Sequence, residues 1–364
     1  MPGRSFALFF QPVRLLLALV LVTLAACGRT EVVRYVDDTP DASVDAGADA
    51  GVDAGQPDAS CPPTTLALEP AVPTVLFVLD RSGSMAFDID GRPDAGQSAS
   101  RWDVLETSLR SVLPPLDQKL AMGALLYPTV GDTCESPFLV NLSPALGNAG
   151  RLLSLFATRP LGGTPTFGAL DLAARHLAPL HTASAARALV LATDGAPNCN
   201  EGLDPFTCVC TRPDGLGCMD PQNCLDDART IARLESLFQT SKLPTYVVGL
   251  GSELDRFSGT LDRMAVAGGV PRTGPGKRYY SATSEAELTD ALTRITAQLS
   301  RCTYLVVGAV PGGRVHFRVD GAEVPEGPEG WEWLSRANGE LTVHGLACDR
   351  VAAGGVPSLL VDCR

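Results

Sequence analysis

The spacing of apolar and polar positions changes along the chain, and each change of period predicts a different element. Val75 to Leu79 is an unbroken apolar run, too short for a free-standing helix, and its Val, Phe and Leu content suits a strand buried on both faces of a parallel sheet. Arg101 to Leu113 places Trp102, Leu105, Leu109 and Val112 on one helical face, and Pro114-Pro115 ends that helix. Further strands are predicted at Leu120 to Tyr127, in the stretch Ala188 to Gly195 (ALVLATDG) and at Thr245 to Leu250, with a shorter edge strand at Phe138 to Leu142. Helices are expected at Ala149 to Ala157, Thr166 to Leu177, Leu225 to Phe238 and Asp255 to Ala267. Ser284 and Glu287 form a capping box ahead of Leu288, Leu292, Ile295 and Leu299, which repeat at helical spacing. Strands alternating with helices in this way build an α/β sheet.

After Cys302 the period becomes two. Val315, Phe317 and Val319 alternate with Arg314, His316 and Arg318, Asp320-Gly321 is a hairpin turn signal, and Leu341 with Val343 and Leu359 to Val361 predict further short strands. Residues 302–364 are therefore expected to form a small β module, with Trp331 and Trp333 in its core.

The candidate chemistry sits where predicted strands end. Val75 to Leu79 runs directly into Asp80-Arg81-Ser82-Gly83-Ser84, which delivers a carboxylate and two hydroxyls, all hard oxygen donors, at the carboxyl end of a strand. Open α/β sheets bind their ligands at that end. Leu161 to Thr166 (LGGTPT) adds a glycine-rich turn with two hydroxyls, and the strand in ALVLATDG ends in a second carboxylate, Asp194. With these three pieces in this order, the stretch from about Pro73 to Arg301 resembles a von Willebrand factor type A domain. The resemblance implies a doubly wound, mostly parallel sheet with helices on both faces. It also implies a metal-ion-dependent adhesion site made by Asp80, Ser82, Ser84, Thr164 and Asp194, with Thr164 preferred to Thr166 because it follows the glycine turn directly. Two carboxylates and three hydroxyls suit Mg2+, with Mn2+ or Ca2+ as alternatives. The family further implies a protein partner that offers its own Asp or Glu carboxylate to the ion.

The amino-terminal region is different in kind. Arg4 and Arg14 precede the apolar run Leu15 to Leu24, and Leu24-Ala25-Ala26-Cys27 closes an export signal over residues 1–27. A cysteine after two small residues resembles the bacterial lipoprotein cleavage site, which implies a mature protein acylated at Cys27 and held by a lipid anchor. Gly28 stands where an aspartate would favour the inner membrane, so the resemblance points to the outer one. Residues 28–60 reduce largely to Asp, Ala and Gly, as in DASVDAGADAGVDAGQPDAS, and have too little to bury to fold. That linker lacks the spacing and the Glu of an EF-hand loop, and as a flexible tether it would reach about 30 Å. Residues 61–301 then form the type A domain and 302–364 the β module.

Charge and cysteine content narrow the function. The chain carries −12; removing +2 from the signal and −6 from the linker leaves −8 on residues 61–364, an acidic body without a basic patch, which argues against nucleic acid. Gly249-Leu250-Gly251 lacks the third glycine of a dinucleotide fingerprint, so no nucleotide cofactor is expected. Of 11 cysteines one is Cys27, and the even remainder in an exported chain suggests disulfides among Cys61, Cys134, Cys199, Cys208, Cys210, Cys218, Cys224, Cys302, Cys348 and Cys363. Five of these crowd the insertion 199–224, so at least one partner lies outside it; no C-x2-C pair or nearby His supports zinc there. In the strand order the family implies, Cys134 shares the rim of the metal site, and a Cys134–Cys199 bond is expected. His176, His181, His316 and His344 stand in no metal-ligand or triad spacing, and Ser82 and Ser84 lack a nucleophile elbow. The expectation is a non-enzymatic, lipid-anchored protein of the cell envelope, periplasmic or surface-exposed, that binds a protein partner through a divalent cation. A structural component of an envelope assembly is the alternative, and a metal-assisted hydrolase the third reading.

Overall fold

The computed structural model describes residues 64–362 apart from 94–97, 130–133, 180–185, 213–217, 252–255, 308–313 and 328. The export signal, the linker, Cys27, Cys61, His181 and Cys363 lie outside the described residues.

Two short strands, β1 (Thr64–Leu66) and β2 (Leu68–Pro70), lead into β3 (Thr74–Asp80), in which every residue is buried. There follow α1 (Arg101–Val112), β4 (Ala121–Tyr127), β5 (Leu142–Ala145), α2 (Ala149–Ser154), α3 (Thr166–Leu177), β6 (Arg187–Thr193), α4 (Asp227–Ser241), β7 (Thr245–Leu250), α5 (Ser258–Ala267), β8 (Tyr280–Ala282) and α6 (Glu285–Arg301). The sheet order is β5-β4-β3-β6-β7-β8; β3, β4, β6, β7 and β8 run parallel, and β5 is antiparallel at one edge. The fold is thus a doubly wound α/β sheet.

Alternation along β3 explains the two helical layers, because successive side chains of a strand point to opposite faces. Val75, Phe77 and Leu79 pack with Trp102, Leu105 and Leu109 of α1 and with Leu288, Leu292 and Ile295 of α6. Leu76 and Val78 face the other way, onto Leu170 and Ala173 of α3, Leu234 and Leu237 of α4, and Leu261 and Met264 of α5. Neither face of β3 is open to water, and the chain reaches the surface at its ends.

Several boundaries differ from the expectation. The edge strand predicted at Phe138 to Leu142 lies instead at Leu142–Ala145, and Phe138 and Leu139 are exposed. The cause is Asn141, whose Oδ1 accepts the Leu126 N–H at 2.8 Å, so strand pairing with β4 starts only at Leu142. Helix α4 begins two residues late and runs on to Ser241, where Lys242 stops it in a left-handed conformation (φ 48°). At α6 only half of the capping box forms: Ser284 accepts from the Glu287 N–H, while the Glu287 carboxylate turns to the N–H and hydroxyl of Thr283.

The carboxyl-terminal region continues with β9 (Thr303–Val306), β10 (Arg314–Val319), β11 (Ala322–Val324), β12 (Trp331–Ser335), β13 (Glu340–Val343), α7 (Gly345–Ala352) and β14 (Pro357–Asp362). These strands form two sheets, β1-β14-β10-β11 and β12-β13-β9-β2, so residues 64–70 add a strand to each sheet from the far end of the sequence. Phe317, Val319 and Trp331 are core, and Trp333 packs edge-on against Trp331. Helix α7 was not expected; its buried Ala347, Cys348 and Val351 lie on one face, and Cys348 is bonded to Cys302. Among the described residues no helix is long and apolar enough to cross a membrane.

Candidate functional site

Parallel registration of β3 with β6 brings two carboxylates to one rim. Leu79 pairs with Ala192, so Asp80, the last residue of β3, and Asp194, the first after β6, emerge side by side. The chain after Asp80 folds back at once, because the Ser82 N–H donates to Asp80 Oδ1 at 2.8 Å. One short helical turn, Gly83–Ala86, follows directly on Ser82 and carries Ser84 back beside it. Ser82 Oγ and Ser84 Oγ lie 3.2 Å apart, and Ser84 Oγ donates to Asp194 Oδ1 at 3.0 Å.

The glycine-rich turn is drawn onto the same rim by its backbone. Leu161 N–H donates to the Arg81 carbonyl and Gly83 N–H to the Gly162 carbonyl, each at 2.9 Å. Thr164 N–H donates to Asn198 Oδ1 at 2.7 Å, and the Asn198 N–H returns a bond to the Thr164 carbonyl at 3.0 Å. Ser82, Ser84 and Asp194 are therefore joined side chain to side chain, Asp80 joins through the Ser82 N–H, and Thr164 is attached through its backbone.

Three contributors escaped the sequence reading. Thr193 Oγ1 donates to Asp80 Oδ2 at 2.6 Å and fixes the carboxylate's second oxygen; its position next to Asp194 was the only available signal. Asn198 clamps Thr164 from four residues beyond Asp194. Arg101 Nη1 donates to Asp194 Oδ2 at 2.7 Å across 93 residues of sequence, and no local pattern announces that.

Burial governs the electrostatics. Asp80 is 0% exposed and Asp194 6%. Burial first, and then the negative charge of Asp194, push the Asp80 carboxyl up to about 7. Burial also raises Asp194, against the opposing pull of Arg101. The unfolded Asp80 would lose its proton near 3.8, whereas the folded one keeps it to about 7, so the stability this proton confers is complete below pH 4 and lost as pH rises to 7. In chelator, the stability of the wild type relative to Asp80→Asn should accordingly fall between pH 4 and 7 and level off above; a difference independent of pH in urea titrations would contradict the burial argument.

Disulfides wall one side of the rim. Cys134 and Cys199 are bonded, with Cα atoms 5.3 Å apart, as the strand order led us to expect. The bridge lies flat against Gly163, where a Cβ would fall 2.5 Å from Cys199 Sγ and 2.7 Å from Cys134 Sγ, so only glycine fits beside Thr164. Cys208–Cys224 and Cys210–Cys218 staple the insertion on itself. The Sγ atoms of Cys208, Cys218 and Cys224 lie within 4.8 Å of one another, yet all three are consumed in these bonds. Asn198 Nδ2 donates to Thr211 Oγ1 at 3.1 Å, which ties the insertion to the residue that clamps Thr164. His316, on β10, and His344, before α7, face Glu323 and Glu332.

No protein-family model matches the chain, and none of the curated proteins matches it. Among solved structures it is similar to the PilB minor pilin from Streptococcus sanguinis, at 18% identity and TM-score 0.45 over 64% of this chain; it spans 62% of that protein's length. It is also similar to the manganese-loaded TRAP protein of Plasmodium vivax, at 18% identity and TM-score 0.42, covering 68% of this chain and 84% of that one. A third similarity is to the vWF domain of the type V pili tip protein Mfa5 from Porphyromonas gingivalis, at 13% identity and TM-score 0.40, covering 62% and 94% respectively.

Proposed function

We propose that this chain is a cell-envelope adhesion module that holds a divalent cation through Asp80, Ser82, Ser84, Thr164 and Asp194 and uses it to grip a carboxylate on a protein partner. The observation that carries this reading is the cluster of two buried carboxylates and two hydroxyls, hydrogen-bonded into one group at the carboxyl end of adjacent parallel strands. Buried charges require a compensating partner. Among the described residues Arg101 is the guanidinium that meets these carboxylates, burial and then the charge of Asp194 push the Asp80 carboxyl up, and every donor in the group is a hard oxygen. That donor set fits Mg2+ or Mn2+, which tolerate few carboxylates and keep waters that a ligand can replace. When bound, the ion supplies a fixed positive charge with an exchangeable position.

A protein partner, rather than a small ion, suits the surroundings. Six apolar side chains are exposed on loops tied to the rim: Phe138, Leu139, Leu161, Phe206, Val209 and Met219, with Phe206 at 93% and Met219 at 86%. Exposed apolar side chains beyond scattered single ones mark interaction surfaces. Display on a lipid anchor at Cys27, ahead of a 33-residue spacer, rests on the sequence and would set the module clear of an outer membrane.

Capture from an envelope extract tests the reading. Wild-type protein in Mg2+ should retain a partner that is released by EDTA and is not retained by Asp80→Asn. Identical retention in all three conditions would overturn cation-gated binding and favour a purely structural role.

A further inference from the structure

Among the described residues Arg101 is the cation in direct contact with the candidate site, and its placement is too specific for a surface charge. It opens α1, directly after Ser100, which caps the helix by accepting from the Asp103 N–H. Its side chain is 2% exposed and that of Asp194 0%, with 2.7 Å between Nη1 and Oδ2. The two oxygens of Asp194 are thereby divided: Oδ2 faces the guanidinium and Oδ1 accepts from Ser84. The seat for the guanidinium is provided by Gly251, just beyond β7, in a conformation that favours glycine (φ 107°). A Cβ there would lie 2.9 Å from Arg101 Nε and 3.1 Å from Cζ, so any other residue at 251 would push the guanidinium away.

On the cation-binding reading of the preceding section, we propose that Arg101 is a resident counter-cation that sets the affinity of the site. In the metal-free protein it neutralises part of the buried charge and keeps the site folded. With a divalent ion bound, Asp194 would have to serve the ion and the guanidinium together, and the positive charge of Arg101 would hold the affinity down so that occupancy follows the surrounding cation concentration. A site with two buried carboxylates and no internal cation would bind the same ion far more tightly, because like-charge repulsion in a poorly solvated site is strong. Arg101 acts through Asp194 and is a positioning and affinity-setting residue.

The test uses the purified protein, Mn2+ as probe, and four forms: wild type, Arg101→Gln, Arg101→Lys and Asp80→Asn. Isothermal titration gives the Mn2+ dissociation constant, and melting with and without Mn2+ gives the shift. Arg101→Gln should melt lower than wild type in EDTA, show a larger shift with Mn2+, and bind Mn2+ about tenfold more tightly. Arg101→Lys keeps the charge and should stay within about threefold of wild type, although lysine cannot reproduce the fork geometry. Weaker or unchanged Mn2+ binding by Arg101→Gln overturns the inference, as does Arg101→Lys behaving like Arg101→Gln, which would assign the effect to shape. An Arg101→Gln protein that stays unfolded even in millimolar Mn2+ also overturns it, since the ion must be able to take over the guanidinium's role. Failure of the underlying reading looks different: wild type and Asp80→Asn would then bind Mn2+ equally poorly.

Discussion

Asp80→Asn is expected to remove divalent-cation binding while leaving the fold intact. Asparagine keeps the oxygen that accepts the Ser82 N–H and fills the same space, so the turn after β3 should persist. What it removes is one of two carboxylates that face each other in a buried site. Without metal at pH 8 that charge is a burden, and the variant should melt no lower than wild type in EDTA. With Mn2+ at a hundredfold over its dissociation constant, wild type should gain about 2.7 kcal/mol and the variant nothing. If Asp80 holds the cation as proposed, its loss should weaken binding by about 100-fold or more. Paired melting curves check both halves. An equal Mn2+ shift in the two proteins would remove Asp80 from the site, and a variant unfolded in EDTA would make its role structural.

The second large effect concerns the rim. Removing the Cys134–Cys199 bridge by a double Cys→Ser change opens a loop with a sequence separation of 65 residues. Chain-entropy arguments put the loss at about 4 kcal/mol, to be read from urea denaturation. The bridge packs on Gly163 beside Thr164, so its loss should also reduce partner retention while Mn2+ still binds. Removing Cys302–Cys348, which spans 46 residues in the β module, provides the control: a comparable loss of stability with partner retention unchanged. Undiminished partner retention after loss of the Cys134–Cys199 bridge would show that the stapled insertion takes no part in recognition.

The elements that position the site were legible because they are coded locally. The apolar run before Asp80, the strand in ALVLATDG and the helix at Thr166–Leu177 each carry their own period, and the structure realises them within a residue or two. The edge strand was misplaced because the apolar Phe138 and Leu139 are exposed rather than paired, and Asn141 takes the Leu126 N–H in place of a ladder bond. The contributions of β1 and β2 to the carboxyl-terminal sheets were invisible, since they pair across more than 200 residues of sequence with strands that have no period linking them. Arg101 was hidden for the same reason. As the first residue of an amphipathic helix it reads as a solvated charge, and only the packing of α1 over the end of β6 places it on Asp194. Thr193 was within reach: a hydroxyl between two residues of a buried strand end has to find an acceptor, and Asp80 is that acceptor.

A crystal of the wild-type protein grown or soaked in MnCl2, with anomalous differences recorded at the manganese edge, tests the central claim most directly. The account predicts one strong peak among the oxygens of Asp80, Ser82, Ser84, Thr164 and Asp194, absent from Asp80→Asn crystals treated in the same way. No peak there, or manganese bound only elsewhere on the surface, would contradict it.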